Sequence, residues 1–136
     1  ETSDFSAFRE AIDYLNRGWI VGISPEGTRS TTGVLQAGKP GAALLVRKTG
    51  LPILPAAVSG TADMGKQLSH FRKMDILVKF GEPYQIPLPG GEEEAKDWLK
   101  KAIDEIMCRI AALLPPERRG IYADHPRLKE LLNSFV

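Results

Sequence analysis

The run Ile23-Ser24-Pro25-Glu26-Gly27-Thr28-Arg29-Ser30 holds the residues of this chain best suited to chemistry. An apolar stretch, Trp19-Ile20-Val21-Gly22-Ile23, stops at a proline and delivers a glutamate, a glycine and an arginine into one tight turn. Arg29 offers a planar fork of donors that matches phosphate oxygens and stays charged at any working pH. Gly27 lets the backbone come close to a ligand or take a positive φ. Glu26 suits either of two tasks, accepting from a substrate hydroxyl or holding Arg29 by a charge-assisted bond. The same residue types also suit a plain strand-ending turn closed by a local Glu–Arg ion pair.

The surrounding charge favours an anion. Between Gly27 and Ala62 there is no Asp or Glu, whereas Arg29, Lys39, Arg47 and Lys48 all fall there. A one-signed field of this kind attracts an anionic substrate or an anionic membrane surface. The net charge of the whole chain is only +1, which gives no general pull toward nucleic acid. Lys39 stands just ahead of a predicted helix, whose free N–H groups and dipole already favour anions, and is a candidate second phosphate contact.

The elements that must position these residues are legible from periodicity. Phe5, Phe8, Ile12 and Leu15 recur at helical spacing, with Ser3 or Asp4 as N-cap and Gly18 as the stop. Trp19 to Ile23 reads as a short buried strand. Lys39-Pro40-Gly41 opens a second helix that ends near Gly50, with Pro40 in the first turn, where its missing N–H costs nothing. Leu51 to Val58 is continuously apolar, as in a parallel strand covered on both faces, so strand, helix and strand form one βαβ unit. A loop from Ser59 to Ser69 precedes a third strand over Asp75 to Phe80. Beyond Pro87, Pro89, Gly90 and Gly91, a long helix keeps the 3.6-residue period from Ala95 to Leu114, and Leu128, Leu131, Leu132 and Phe135 mark a last short one. The expected class is α/β, a largely parallel or mixed sheet with helices on its faces and a C-terminal helical cover. One domain is expected over 1–136, with an α/β part over 5–90 and the C-terminal helices over 91–136.

The block P-E-G-T-R-S resembles the most recognisable motif of the 1-acylglycerol-3-phosphate acyltransferase family of glycerolipid acyltransferases. Three further blocks agree in order: Lys39-Pro40-Gly41-Ala42 is similar to that family's lysine and Gly-Ala helix opening. Leu51-Pro52-Ile53-Leu54-Pro55-Ala56 resembles its proline-bracketed apolar block, and Val78-Lys79-Phe80-Gly81-Glu82-Pro83 its strand ending in G-x-P. The resemblance spans residues 5–120; Ser24 stands where the family more often has Phe. It implies that Glu26, Gly27, Thr28 and Arg29, with Lys39, bind the phosphate and glycerol of a lysophospholipid acceptor, and that Pro25, Pro52 and Pro55 shape the adjoining pocket. It also implies an acyl thioester donor, acyl-CoA or acyl-carrier protein, no separate cofactor, and a peripheral place on the cytoplasmic side of the membrane.

Acyl transfer from a thioester to a hydroxyl needs a base, typically a His oriented by an Asp. The family supplies these as N-H-x-x-x-x-D ahead of P-E-G-T-R-S, and no histidine precedes residue 70 here. The expectation is a partial domain whose catalytic motif and first strands lie upstream. The isolated chain is then inactive, with an exposed sheet edge through which it self-associates. His70 and Asp75 have the H-x-x-x-x-D spacing but follow the motifs they should precede and lack the Asn, so they read as a decoy. Two alternatives stand: a non-catalytic lipid-phosphate-binding remnant, and a hydrolase or acyltransferase working through His70 and Asp75. Cys108, the only cysteine, sits in a helical apolar pattern and reads as a buried hydrophobe. No cluster has metal-ligand spacing. No run approaches the roughly 18 apolar residues of a membrane-spanning helix.

Overall fold

The structure, a computed structural model, describes residues 2–27, 30, 32–60, 75–91 and 94–134. Thr28, Arg29, His70, Phe135 and most of the Ser59–Ser69 loop lie outside the described residues. The first helix, α1, is Thr2–Asn16. It already includes Ser3 and Asp4, so these stand in the first turn rather than capping it. Gly18, at φ 82°, stops it as expected. The second helix, α2, is Gly41–Thr49; Pro40 is its N-cap residue, and Gly50 closes it at φ 64° with its N–H on the Val46 carbonyl.

The sheet departs from expectation. Trp19 to Ile23 forms no strand: it has no ladder partner among the described residues, and Ile20 is 94% exposed. A strand exists only through its neighbour's hydrogen bonds, and no described segment supplies them. The βαβ unit therefore lacks its first strand. Of the Leu51–Val58 run only the end is strand, β1, Ala56–Ser59, and it pairs with β2, Leu77–Phe80. The pairing is antiparallel, from Ala56 opposite Phe80 to Ser59 opposite Leu77, and a lone bridge joins Ile53 to Tyr84. Leu54, Val58, Leu77, Val78 and Phe80 are exposed, so the expected burial on both faces is absent. The α/β class stands, with a two-stranded antiparallel sheet among the described residues.

The core lies on the C-terminal side. The long helix α3, Ala95–Leu113, turns one face to α2 through Ala102 and Ile106, which meet the fully buried Ala43. Its other face carries Met107, Cys108 and Ala111, packed with Leu35, Tyr122, Leu128 and Leu131. Cys108 is buried as expected, and burial pushes its thiol up to about 11, which keeps it protonated and inert. Two short 3-10 turns, Pro116–Arg118 and Gly120–Tyr122, lead to the last helix, α4, Pro126–Ser134. His125 starts α4, its Nδ1 accepting the Arg127 N–H at 3.1 Å.

Arg127 ties α4 to α3 through both carboxylate oxygens of Glu105, at 2.5 and 3.1 Å. Arg109 adds a 2.6 Å contact to the same carboxylate. Burial opposes ionisation of Glu105, but the hydrogen bonds from Arg127 and Arg109 outweigh it and hold its carboxyl below the usual glutamate range.

Candidate functional site

The apolar stretch 19–23 ends in a turn closed by the Gly27 N–H on the Ser24 carbonyl, 3.1 Å. Gly27 takes φ 68°, the left-handed region that favours glycine. From the other side, the Lys39 N–H donates to the Pro25 carbonyl at 2.7 Å, which joins the turn to the entrance of α2. The Lys39 side chain then folds back over the turn: a Cβ on Gly27 would lie 2.8 Å from its Cδ and 3.1 Å from its Nζ. A side chain at 27 would displace this lysine.

Lys39 therefore brings its ammonium to the exposed backbone of Gly27, one residue before the N-cap of α2. That helix has no acidic residue in its first turn and no side-chain cap on its first N–H groups. The Lys39 ammonium and the start of α2, which has no side-chain cap, both lie beside the turn and favour an anion there. Arg47 and Lys48 do not share it, since they occupy the last turn of α2, about 12 Å away by helix rise. Arg29 and Thr28 lie outside the described residues, as does His70. Asp75 is exposed and packs its backbone carbonyl on Gly60 at the mouth of the β1–β2 hairpin.

Among the described residues, Glu26 has a backbone partner in the loop that follows. Its Oε2 accepts the Gln36 N–H at 2.7 Å, pinning the loop after the turn. Ser30 Oγ donates to the Val34 carbonyl at 2.8 Å within the same loop.

Beside this polar turn lies an apolar groove of about 510 Å³. Pro25, Pro52 and Pro55 all line it, with Leu45, Ile53 and Ile106 among its other walls. Pro55 is buried and its carbonyl accepts the Gly81 N–H at 2.9 Å, so the proline-bracketed block is fixed to the sheet end. Tyr84 also lines the groove; the Arg109 guanidinium stacks 3.9 Å from its ring, and its buried hydroxyl has no partner among the described residues. Burial raises the Tyr84 phenol well above its ordinary range, keeping it neutral.

Sequence reading missed what fixes the 33–38 loop: Tyr122 and Arg118, which approach it from the far end of the chain. An 84-residue separation leaves no local pattern to find. No group of three or more His, Cys, Asp or Glu placed to hold a metal occurs among the described residues. No helix among them is long and apolar enough to cross a membrane.

Comparison with known proteins gives a likeness for the stretch that carries this turn. Residues 3–59, which include nearly all of α1, the P-E-G turn, α2 and β1, match the family model described as Acyltransferase. The chain is also similar to two 1-acyl-sn-glycerol-3-phosphate acyltransferases. The Bacillus subtilis protein is 37% identical over 78 residues, 57% of this chain and 37% of its own length. The chloroplastic BAT2 protein of Brassica napus is 36% identical over 59 residues, 43% of this chain and 17% of its own length. The match thus spans 37% of the length of one curated relative and 17% of the other. No solved structure matches it significantly.

Proposed function

We propose that the complete protein transfers an acyl chain from a thioester donor, acyl-CoA or acyl-carrier protein, to the free hydroxyl of 1-acylglycerol-3-phosphate or a related lysophospholipid. The observation that carries this reading is the juxtaposition of Lys39 over Gly27 with an apolar groove beginning at Pro25. A lysophospholipid presents the same pair, a phosphomonoester beside an alkyl chain. The phosphate takes its place at the turn formed by Glu26, Gly27, Thr28 and Arg29, with Lys39 and the start of α2 completing the cradle. Glu26 serves it indirectly, by fixing the loop that leads to Lys39. The acyl chain lies along the groove shaped by Pro25, Pro52 and Pro55.

The reaction needs a base to take the acceptor hydroxyl proton as its oxygen attacks the thioester carbonyl and the thiol departs. In this reading the base is the His of an upstream N-H-x-x-x-x-D, on strands that pair with Trp19 to Ile23 and cover its apolar side chains. The chain alone is inactive and self-associates through that uncovered stretch. The complete protein works at the anionic cytoplasmic surface of a membrane as a peripheral enzyme.

Steady-state kinetics of the complete protein test this. Arg29→Ala and Lys39→Ala are each expected to raise the KM for lysophosphatidic acid about tenfold or more, the loss of a charge-assisted contact, with donor KM unchanged. An unchanged acceptor constant in both variants defeats the assignment. Binding of lysophosphatidic acid without any acyl transfer identifies a non-catalytic phosphate-binding protein instead. Loss of turnover on His70→Ala would relocate the base to His70 and Asp75.

A further inference from the structure

The loop that delivers Lys39 is held from outside the part of the chain that matches the acyltransferase family. Residues 33–38 touch the 3-10 turns after α3 at four points. The Tyr122 hydroxyl accepts the Gly38 N–H at 2.9 Å. The Leu35 N–H donates to the Arg118 carbonyl at 3.0 Å, and Arg118 Nη1 donates to the Gly33 carbonyl at 3.1 Å. Gly120, at φ 54°, packs so closely on the Leu35 carbonyl that a Cβ there would overlap it. Gly38 itself lies flat on α3, where a Cβ would come within 2.6 Å of Met107 Cγ and 2.8 Å of Ile103 Cγ2.

Tyr122 is only 5% exposed, wedged among Leu35, Met107 and Leu128. Its hydroxyl is therefore a fixed point, and burial raises its pKa against the opposing pull of the Gly38 N–H, which keeps it neutral. The residue after Gly38 is Lys39, whose N–H is fixed to Pro25 and whose side chain covers Gly27. Any shift of Gly38 passes directly into the lysine that faces the turn.

We propose that Tyr122 is a positioning residue for the phosphate site: with Arg118, it clamps the 33–38 loop so that Lys39 stands over Gly27 to meet a phosphomonoester. The clamp rests on the reading of that turn as the acceptor-phosphate site. Residues 118–122 lie beyond the matched span, 3–59, so the C-terminal cover sets the geometry of a site carried by the other end of the chain. Tyr122 touches no reacting atom.

The test is titration of the complete protein with a short-chain lysophosphatidic acid and with the corresponding phosphate-free monoacylglycerol. Tyr122→Phe keeps the ring in the core and removes only the acceptor of the Gly38 N–H. It is expected to weaken lysophosphatidate binding about three- to tenfold, the scale of one lost hydrogen bond, and to leave monoacylglycerol binding unchanged. Arg118→Gln, which frees Gly33 without touching Tyr122, is expected to act in the same direction. Arg127→Gln loosens α4 instead and serves as the stability control: a lower melting temperature, no change in either affinity. Because Tyr122 acts through Lys39, the double variant Lys39→Ala with Tyr122→Phe should bind no worse than Lys39→Ala alone. If Lys39→Ala weakens lysophosphatidate binding while Tyr122→Phe and Arg118→Gln do not, the clamp is overturned and the phosphate site survives. If Lys39→Ala changes nothing, the phosphate site falls and the clamp with it.

Discussion

The two sides of α3 are built to different standards. Toward α4 it meets Leu128, Leu131, Tyr122 and Leu35 in a closed cluster with Met107 and Cys108 at zero exposure. Toward the N-terminal half it meets only Ala43 and a rim of partly buried residues, beyond which Trp19, Ile20, Leu54, Val58 and Phe80 face outward. Apolar residues at this density on one side are what an unpaired sheet edge and an open groove leave behind. The difference separates a closed core, which holds the molecule together, from a face whose apolar residues stand in solvent. The P-E-G turn stands where the two meet, with its loop anchored on the closed side and its groove opening on the other.

The sharpest way to break this contrast is to shorten one side chain on each side. Leu128→Ala removes a fully buried side chain from the closed cluster and is expected to cost about 2–5 kcal/mol, read from denaturant unfolding. Ile20→Ala should change stability by less than about 0.5 kcal/mol, because the side chain is already in solvent, and should improve solubility. Equal losses at both sites would mean that the N-terminal face is packed in solution, and the comparison would collapse.

A smaller effect tests what joins α4 to α3. Glu105→Gln leaves Arg127 and Arg109 without their shared carboxylate and is expected to cost about 1–3 kcal/mol. The same pair makes stability depend on pH. The Glu105 pKa is lowered on folding, so its contribution is fully present above the usual glutamate range and is lost as pH falls through the lower folded value. Unfolding curves recorded from pH 7 downward should show wild type losing this advantage in acid and converging on Glu105→Gln. A constant gap between the two curves would remove Glu105 as the source.

What was legible in the sequence follows the same division. The 3.6-residue period from Ala95 to Leu114 marked α3 to within one residue, because a helix carries its pattern within itself, and Gly18 and Gly50 marked the ends of α1 and α2. Trp19 to Ile23 has strand composition yet forms no ladder, because a strand's pattern is completed by a partner that propensity cannot supply. At the site, Glu26, Gly27 and Lys39 were all named from the sequence, and Gly27 and Lys39 do come together. The anchoring by Gln36, Gly38 and Tyr122 was invisible, because it depends on a backbone path bringing positions 38 and 122 side by side. Charge alone overstated the site, grouping Arg47 and Lys48 with Lys39 although α2 holds them at its opposite end.

A more local effect is expected at Gly27, and it separates the turn's backbone from its lysine. Gly27→Ala forces an L-residue into φ 68° and should cost about 1 kcal/mol on that account. Its Cβ would also meet Lys39 Cδ at 2.8 Å, a contact that a flexible side chain relieves by moving away. Gly27→Asn tolerates the left-handed region better, so it should recover much of that stability while displacing Lys39 just as far. Melting temperature and lysophosphatidate affinity should therefore part company: the asparagine variant is expected to fold nearly as well as wild type and to bind as poorly as the alanine one. If affinity instead returned with stability, backbone geometry alone would govern the turn, and Lys39 over Gly27 would be an incidental contact.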